Sequence, residues 1–121
     1  MSTHELGARA EAAARVHLQR HGLALLQSNY RCRWGEIDLI MQHADAIVFV
    51  EVRFRSHDYF GGGLASIDKR KQRKLVRTAR HYLQHSANTD CKARIDVVSC
   101  APGTRGELQI SWLANAIDVI E

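Results

Sequence analysis

The sequence predicts an α/β fold, a mixed central β-sheet flanked by helices in the order α-β-β-β-α-β-β. Two stretches repeat apolar residues at helical spacing, and several short β-branched runs are cut by Gly, Pro or Asp. The run Ala46-Ile47-Val48-Phe49-Val50 is apolar on both faces, as in a central strand covered on both sides. Helices interleaved with strands in this way build layers around one sheet.

The first helix is expected over residues 4–21. At roughly 100° per residue, Leu6, Gly7, Ala10, Ala14 and Leu18 fall in one arc. Gly22 supplies the stop. Strands follow at 23–33, at 36–42 after Gly35, and at 46–54. The loop Tyr59-Phe60-Gly61-Gly62-Gly63 lacks the Gly-Lys-Ser/Thr close of a phosphate-cradling loop and reads as a flap or connector. A second helix is expected over 66–86, with Ser66 as N-cap, Asp68 in its first turn, and an apolar arc of Leu75, Val76, Ala79, Tyr82 and Leu83. Two last strands, 93–100 and 107–113, flank a Pro102-Gly103 turn.

A chain of 121 residues fits one compact domain spanning 1–121. Its 45% apolar and 25% charged residues are ordinary for a globular protein. No apolar run approaches the ~20 residues that span a bilayer, and the N-terminus lacks a basic stretch leading into an apolar one. Three unpaired-looking cysteines (Cys32, Cys91, Cys100) fit a reduced setting, so a cytoplasmic location is expected. Cys91 with His81 and His85 could form a zinc site, although no CxxC or HExxH cluster supports it.

The net charge of +4 is unevenly spread. Lys69, Arg70, Lys71, Arg73, Lys74, Arg77 and Arg80 lie within twelve positions that hold no acid. Such a block suits a polyanion such as nucleic acid, or else forms a solvated helix face.

The short loop His43-Ala44-Asp45-Ala46 allows the register of the adjoining strands to be derived. With Ala44-Asp45 as a two-residue turn, Ile40 faces Phe49, Asp38 faces Glu51, and Glu36 faces Arg53. Period-two alternation then puts Glu36, Asp38, Glu51 and Arg53 on one face. Directly opposed like charges are destabilising, and a divalent cation between Asp38 and Glu51 would reverse that penalty. Hard oxygen ligands suit Mg²⁺ or Mn²⁺. The competing reading is ordinary surface ion pairing of Glu36 with Arg53, and of Glu51 with Arg53 or Arg55. Glu11, at the edge of the first helix's buried arc, could add a third ligand or pair with Arg15. Lys71 falls inside the apolar arc of the second helix, where it either snorkels to water or points at the carboxylates. Asp96 could support a ligand from behind or pair with Arg94.

The runs Gly35-Glu36-Ile37-Asp38-Leu39-Ile40 and Phe49-Val50-Glu51-Val52-Arg53-x-Arg55 resemble those of the YraN family of bacterial proteins. So do Gly7, Glu11 and Ala14, Asn29-Tyr30-Arg31, Phe60-Gly61, Lys71, Ala79, Tyr82-Leu83, Arg94-Ile95-Asp96-Val97-Val98 and Asn115-Ala116. The likeness runs over nearly the whole chain. That family is similar to archaeal Holliday-junction resolvases, which implies a restriction-endonuclease-like fold.

Carried over, the resemblance implies Asp38, Glu51 and Glu11 as metal-binding acids, and Asp38, Glu51 and Arg53 as the catalytic set. Arg53 stands where the superfamily usually has lysine. The expected function is a Mg²⁺- or Mn²⁺-dependent endodeoxyribonuclease on structured or branched DNA; the alternative is a non-catalytic nucleic-acid-binding domain of the same fold. Arg55, Lys69, Arg70, Lys71, Arg73, Lys74 and Arg77 would contact nucleic acid. A homodimer would match a two-fold symmetric junction.

Overall fold

The structure, a computed structural model, describes residues 2–55, 64, 66–86 and 91–119. The glycine-rich loop and its neighbours Tyr59 and Phe60 lie outside them.

Helix α1 (Thr3–Arg20) starts at Ser2, whose hydroxyl accepts from the Glu5 amide, and ends before Gly22 at φ 92°, a left-handed value that glycine adopts without strain. Three strands follow: β1 (Ala24–Cys32), β2 (Gly35–His43) and β3 (Ala46–Phe54). Helix α2 (Lys69–His85) then leads to β4 (Lys92–Pro102) and β5 (Leu108–Ile117). The five strands form one sheet in the order β1-β2-β3-β4-β5. Only β3 and β4 run parallel, the other neighbours being antiparallel. Parallel neighbours need a crossover connection, and α2 lies within the segment that joins them.

The element order is the expected one, and β3 is the middle strand. Its Val48 and Val50 pack with Ala10, Ala14 and Leu18 of α1, while Ile47 and Phe49 pack with Leu75, Val76 and Ala79 of α2. Burial on both faces explains why this strand shows no polar alternation until Glu51.

One expectation needs correction. The N-cap of α2 is Asp68, whose carboxylate accepts from the Lys71 amide at 2.8 Å; Ser66 is not the cap. Aspartate caps as well as serine and adds a charge that favours the positive end of the helix. The Ser66 hydroxyl instead accepts a hydrogen bond from Arg53 Nε at 3.3 Å.

Candidate active site

The β2–β3 hairpin turns through Ala44 and Asp45, with Ala44 at φ 53°. Pairing runs from His43↔Ala46 through Ile40↔Phe49 to Leu39↔Val50, the predicted register, and stops there. Asp38 therefore does not join Glu51 as a ladder pair. Its Oδ2 accepts a hydrogen bond from the Val52 amide at 2.7 Å, taking the place of a backbone acceptor. On the other side, the β1–β2 pairing passes over Asn29 and Asp38, and Asn29 sits at φ 53°. Asp38 thus occupies a point where both flanking ladders open.

Glu51 is the last fully buried residue of β3, at 4% exposure, on the strand face shared by Ile47 and Phe49. It shares a hydrogen bond with Asp38. Burial, then the Asp38 charge, push its pKa up to about 7, and Lys71 and Arg53 offset part of that rise. Asp38 is also raised by burial, against the pull of the Val52 amide. Two carboxylates this close cannot both ionise freely in a desolvated site.

Two cations close the other side. Arg53 Nη1 lies 3.5 Å and Lys71 Nζ 3.6 Å from Glu51 Oε2. Lys71 therefore points at the carboxylates rather than away to water. These contacts surround a buried acid, so surface ion pairing describes them poorly. Arg53 is held in turn by Ser66. Glu36 does not meet Arg53; its Oε2 lies 3.2 Å from Arg31 Nε. With the β2–β3 ladder ending at Leu39, nothing brings Glu36 opposite Arg53.

Glu11 faces a cleft of about 180 Å³ lined also by Arg15, Ser28, Asn29 and Leu39. It forms no ion pair with Arg15 among the described residues. Its pKa is raised by burial, then by Asp38 and Glu36, so it senses the site from the α1 side. Among the described residues, no three His, Cys, Asp or Glu side chains gather as a metal-holding group. Asp38 and Glu51 come together, with Glu11 outside that pair. His81 Nδ1 contacts the Tyr30 hydroxyl and His85 Nδ1 the His81 carbonyl oxygen, which occupies one nitrogen of each ring.

Of the basic residues, Lys69, Arg70, Arg73, Lys74 and Arg77 are exposed on α2. Arg80 turns away and donates to the Val119 carbonyl at 3.2 Å. Arg55 donates its amide to the Cys100 carbonyl at 2.8 Å, beyond the end of β3. Asp96 is fully buried and pairs with Arg94 at 3.0 Å. It also accepts from Trp112 Nε1 (2.9 Å) and the Asn115 amide (2.8 Å), at the irregularity where β5 shifts register. The Arg94 pair is one of the two expected readings of Asp96; the Trp112 and Asn115 donors were not expected, nor was Ser66 as the residue holding Arg53. No local pattern in the sequence signals either one, because each joins separate strands or loops.

An α/β sheet carrying a buried acid pair, with two cations on one of its carboxylates, defines the class of domain. The chain belongs to the uncharacterised protein family UPF0102, the family of the YraN resemblance, whose profile matches residues 10–100. It is 53% identical over 113 residues to a UPF0102 protein of Nitrosomonas europaea, covering 93% of this chain and 92% of that protein. A UPF0102 protein of Ectopseudomonas mendocina is 48% identical over 122 residues, covering 98% and 99%. Among solved structures, SfsA of Pyrococcus furiosus in complex with Ca²⁺ aligns with a TM-score of 0.43 at 13% identity, over 97% of this chain and 65% of that one.

Proposed function

We propose that this protein is a divalent-metal-dependent endodeoxyribonuclease of the restriction-endonuclease-like class, acting on structured or branched DNA. The observation that carries this reading is the Asp38–Glu51 pair with Arg53 and Lys71 beside it. The donor set fits Mg²⁺ or Mn²⁺: two hard carboxylate oxygens whose mutual repulsion a cation would relieve, with water and phosphate oxygens completing the shell. Glu11 would support the cation from the α1 side. Once bound, the metal would act as a Lewis acid and lower the pKa of a water for attack on phosphorus.

The chain's own residues have distinct tasks. Asp38 is fixed by the Val52 amide, so its carboxylate has a set direction. Glu51 would release to solvent the proton it shares with Asp38 and hold the cation in its place. Arg53 is oriented by Ser66 and would present the rest of its fork to the scissile phosphate, where charge develops. Arginine cannot release a proton, whereas lysine can. Lys71 therefore supplies the amine that Arg53 cannot, reaching Glu51 from α2 instead of from β3.

The test is a cleavage panel of linear, flapped and four-way-junction DNA with Mn²⁺, comparing wild type with Glu51→Ala. Cleavage of branched substrates that falls at least about 10²-fold in the variant is expected. Absence of cleavage on every substrate would overturn the reading. The arginine at position 53 favours a second reading, a nucleic-acid-binding domain of the same fold without hydrolysis. DNA affinity that survives Asp38→Ala and Glu51→Ala with no cleavage by wild type would establish it.

A further inference from the structure

At the tip of the β1–β2 hairpin, Arg33 places its guanidinium 4.5 Å from the centroid of the Trp34 ring. Arg77 of α2 reaches the same ring at 5.3 Å. Neither arginine has a carboxylate partner among the described residues. The indole thus gathers two like charges that the protein itself leaves uncompensated. A guanidinium held over an aromatic face keeps its N–H edge available to fork an oxyanion.

The hairpin is held there by a close approach. Gly35 has φ 151°, and a Cβ at that position would lie 3.1 Å from Thr78 Oγ1. Only glycine lets the tip sit against α2 at this level, which brings Trp34 beside Arg77. The exposed Lys74 lies one turn before Arg77 on the helix. Lys71, at the carboxylate pair, is six residues before Arg77, about 9 Å along the axis at ~1.5 Å per residue.

We propose that Arg33, Trp34 and Arg77 form a clamp for one DNA backbone phosphate, distinct from the scissile one. The clamp rests on the nuclease reading: it holds the strand while the Asp38–Glu51 pair acts on another phosphate. Two arginines on one phosphate form a single unit, and this separates the clamp from a diffuse basic surface.

Binding of a labelled DNA duplex by the full chain, measured by fluorescence anisotropy in EDTA across a salt series, tests it. Arg33→Gln, Arg77→Gln and their combination should each weaken binding by about the same factor, roughly tenfold. The salt slope should fall by about 0.9, the value for one phosphate contact. Trp34→Ala should lose a similar factor at unchanged net charge, and Trp34→Phe, which keeps an aromatic face, should restore most of it. Additive losses with a slope change of about 1.8 would mean two independent surface charges and overturn the clamp. So would an effect no larger than that of Arg20→Gln/Arg105→Gln, or equal displacement of the duplex by polyglutamate. If wild type binds and cleaves DNA and Trp34→Ala does so equally, the clamp alone falls. If wild type binds no DNA at low salt, the clamp and the nuclease reading fall together.

Discussion

Glu51 shows how one residue's surroundings set its chemistry. Its folded pKa, about 7, lies above its ordinary value of 4.5 because burial and Asp38 both disfavour the charged form. Between these values the folded state binds more protons than the unfolded one. Stability of the metal-free protein should therefore fall as pH rises from about 4.5 to 7. In chelator, Glu51→Gln should flatten this slope and be more stable than wild type at pH 8 by about 1–3 kcal/mol. Urea melts across that pH range check it; a wild-type profile no steeper than the variant's would contradict the assignment. Lys71→Met should lower cleavage by roughly 10²-fold, in line with loss of an acid–base group. Arg53→Lys in that background should recover part of the activity, by returning an amine to β3. Asp96 is a contrasting acid, fully buried and surrounded by donors. Asp96→Ala would strand those donors and should cost about 3 kcal/mol or more by thermal or chemical unfolding.

At the scale of elements, the β1–β2 hairpin meets α2 at Tyr30 with His81, at Trp34 with Arg77, and most tightly at Gly35. Gly35→Ala meets both an unfavourable φ and the Thr78 hydroxyl, and should cost about 1–3 kcal/mol. Because the hairpin tip carries Trp34, the same change should lower DNA affinity as well as the melting temperature. A destabilised variant with unchanged affinity would separate the two effects. The strands themselves could be read from the sequence because β-branched runs and turn residues are local signals. Their register near the site could be derived only as far as Leu39↔Val50. Beyond that point the Asp38 side chain replaces a ladder bond, and alternation no longer predicts which groups meet. The Glu36–Arg53 and Glu11–Arg15 pairings failed for related reasons: each assumed that neighbours along an ideal strand or helix would find each other. Glu36 found Arg31 on the adjacent strand instead, and Glu11 was left facing a cleft.

For the whole molecule, one sheet layered between α1 and α2 puts the carboxylate pair and the basic helix on the same side. Among the described residues, no helix is long and apolar enough to cross a membrane. A cation that binds the folded site should raise the melting temperature, by an amount that grows with the logarithm of its concentration above Kd. Mn²⁺ should therefore stabilise wild type above pH 7 and have little effect on Asp38→Ala or Glu51→Ala; differential scanning fluorimetry reads this directly. An equal shift in all three proteins would place the ion elsewhere.

By itself, the sequence determined the order of elements, the central strand and the identity of the acid pair. Those rest on local periodicity and on a turn short enough to fix a register. The tertiary structure alone decided that Lys71 reaches Glu51, that Ser66 holds Arg53, and that Trp34 gathers Arg33 and Arg77. Apart from Arg33 beside its neighbour Trp34, these contacts join segments far apart in the chain or separated by a loop. Their geometry follows from how α2 packs on the sheet, which no spacing along the chain encodes.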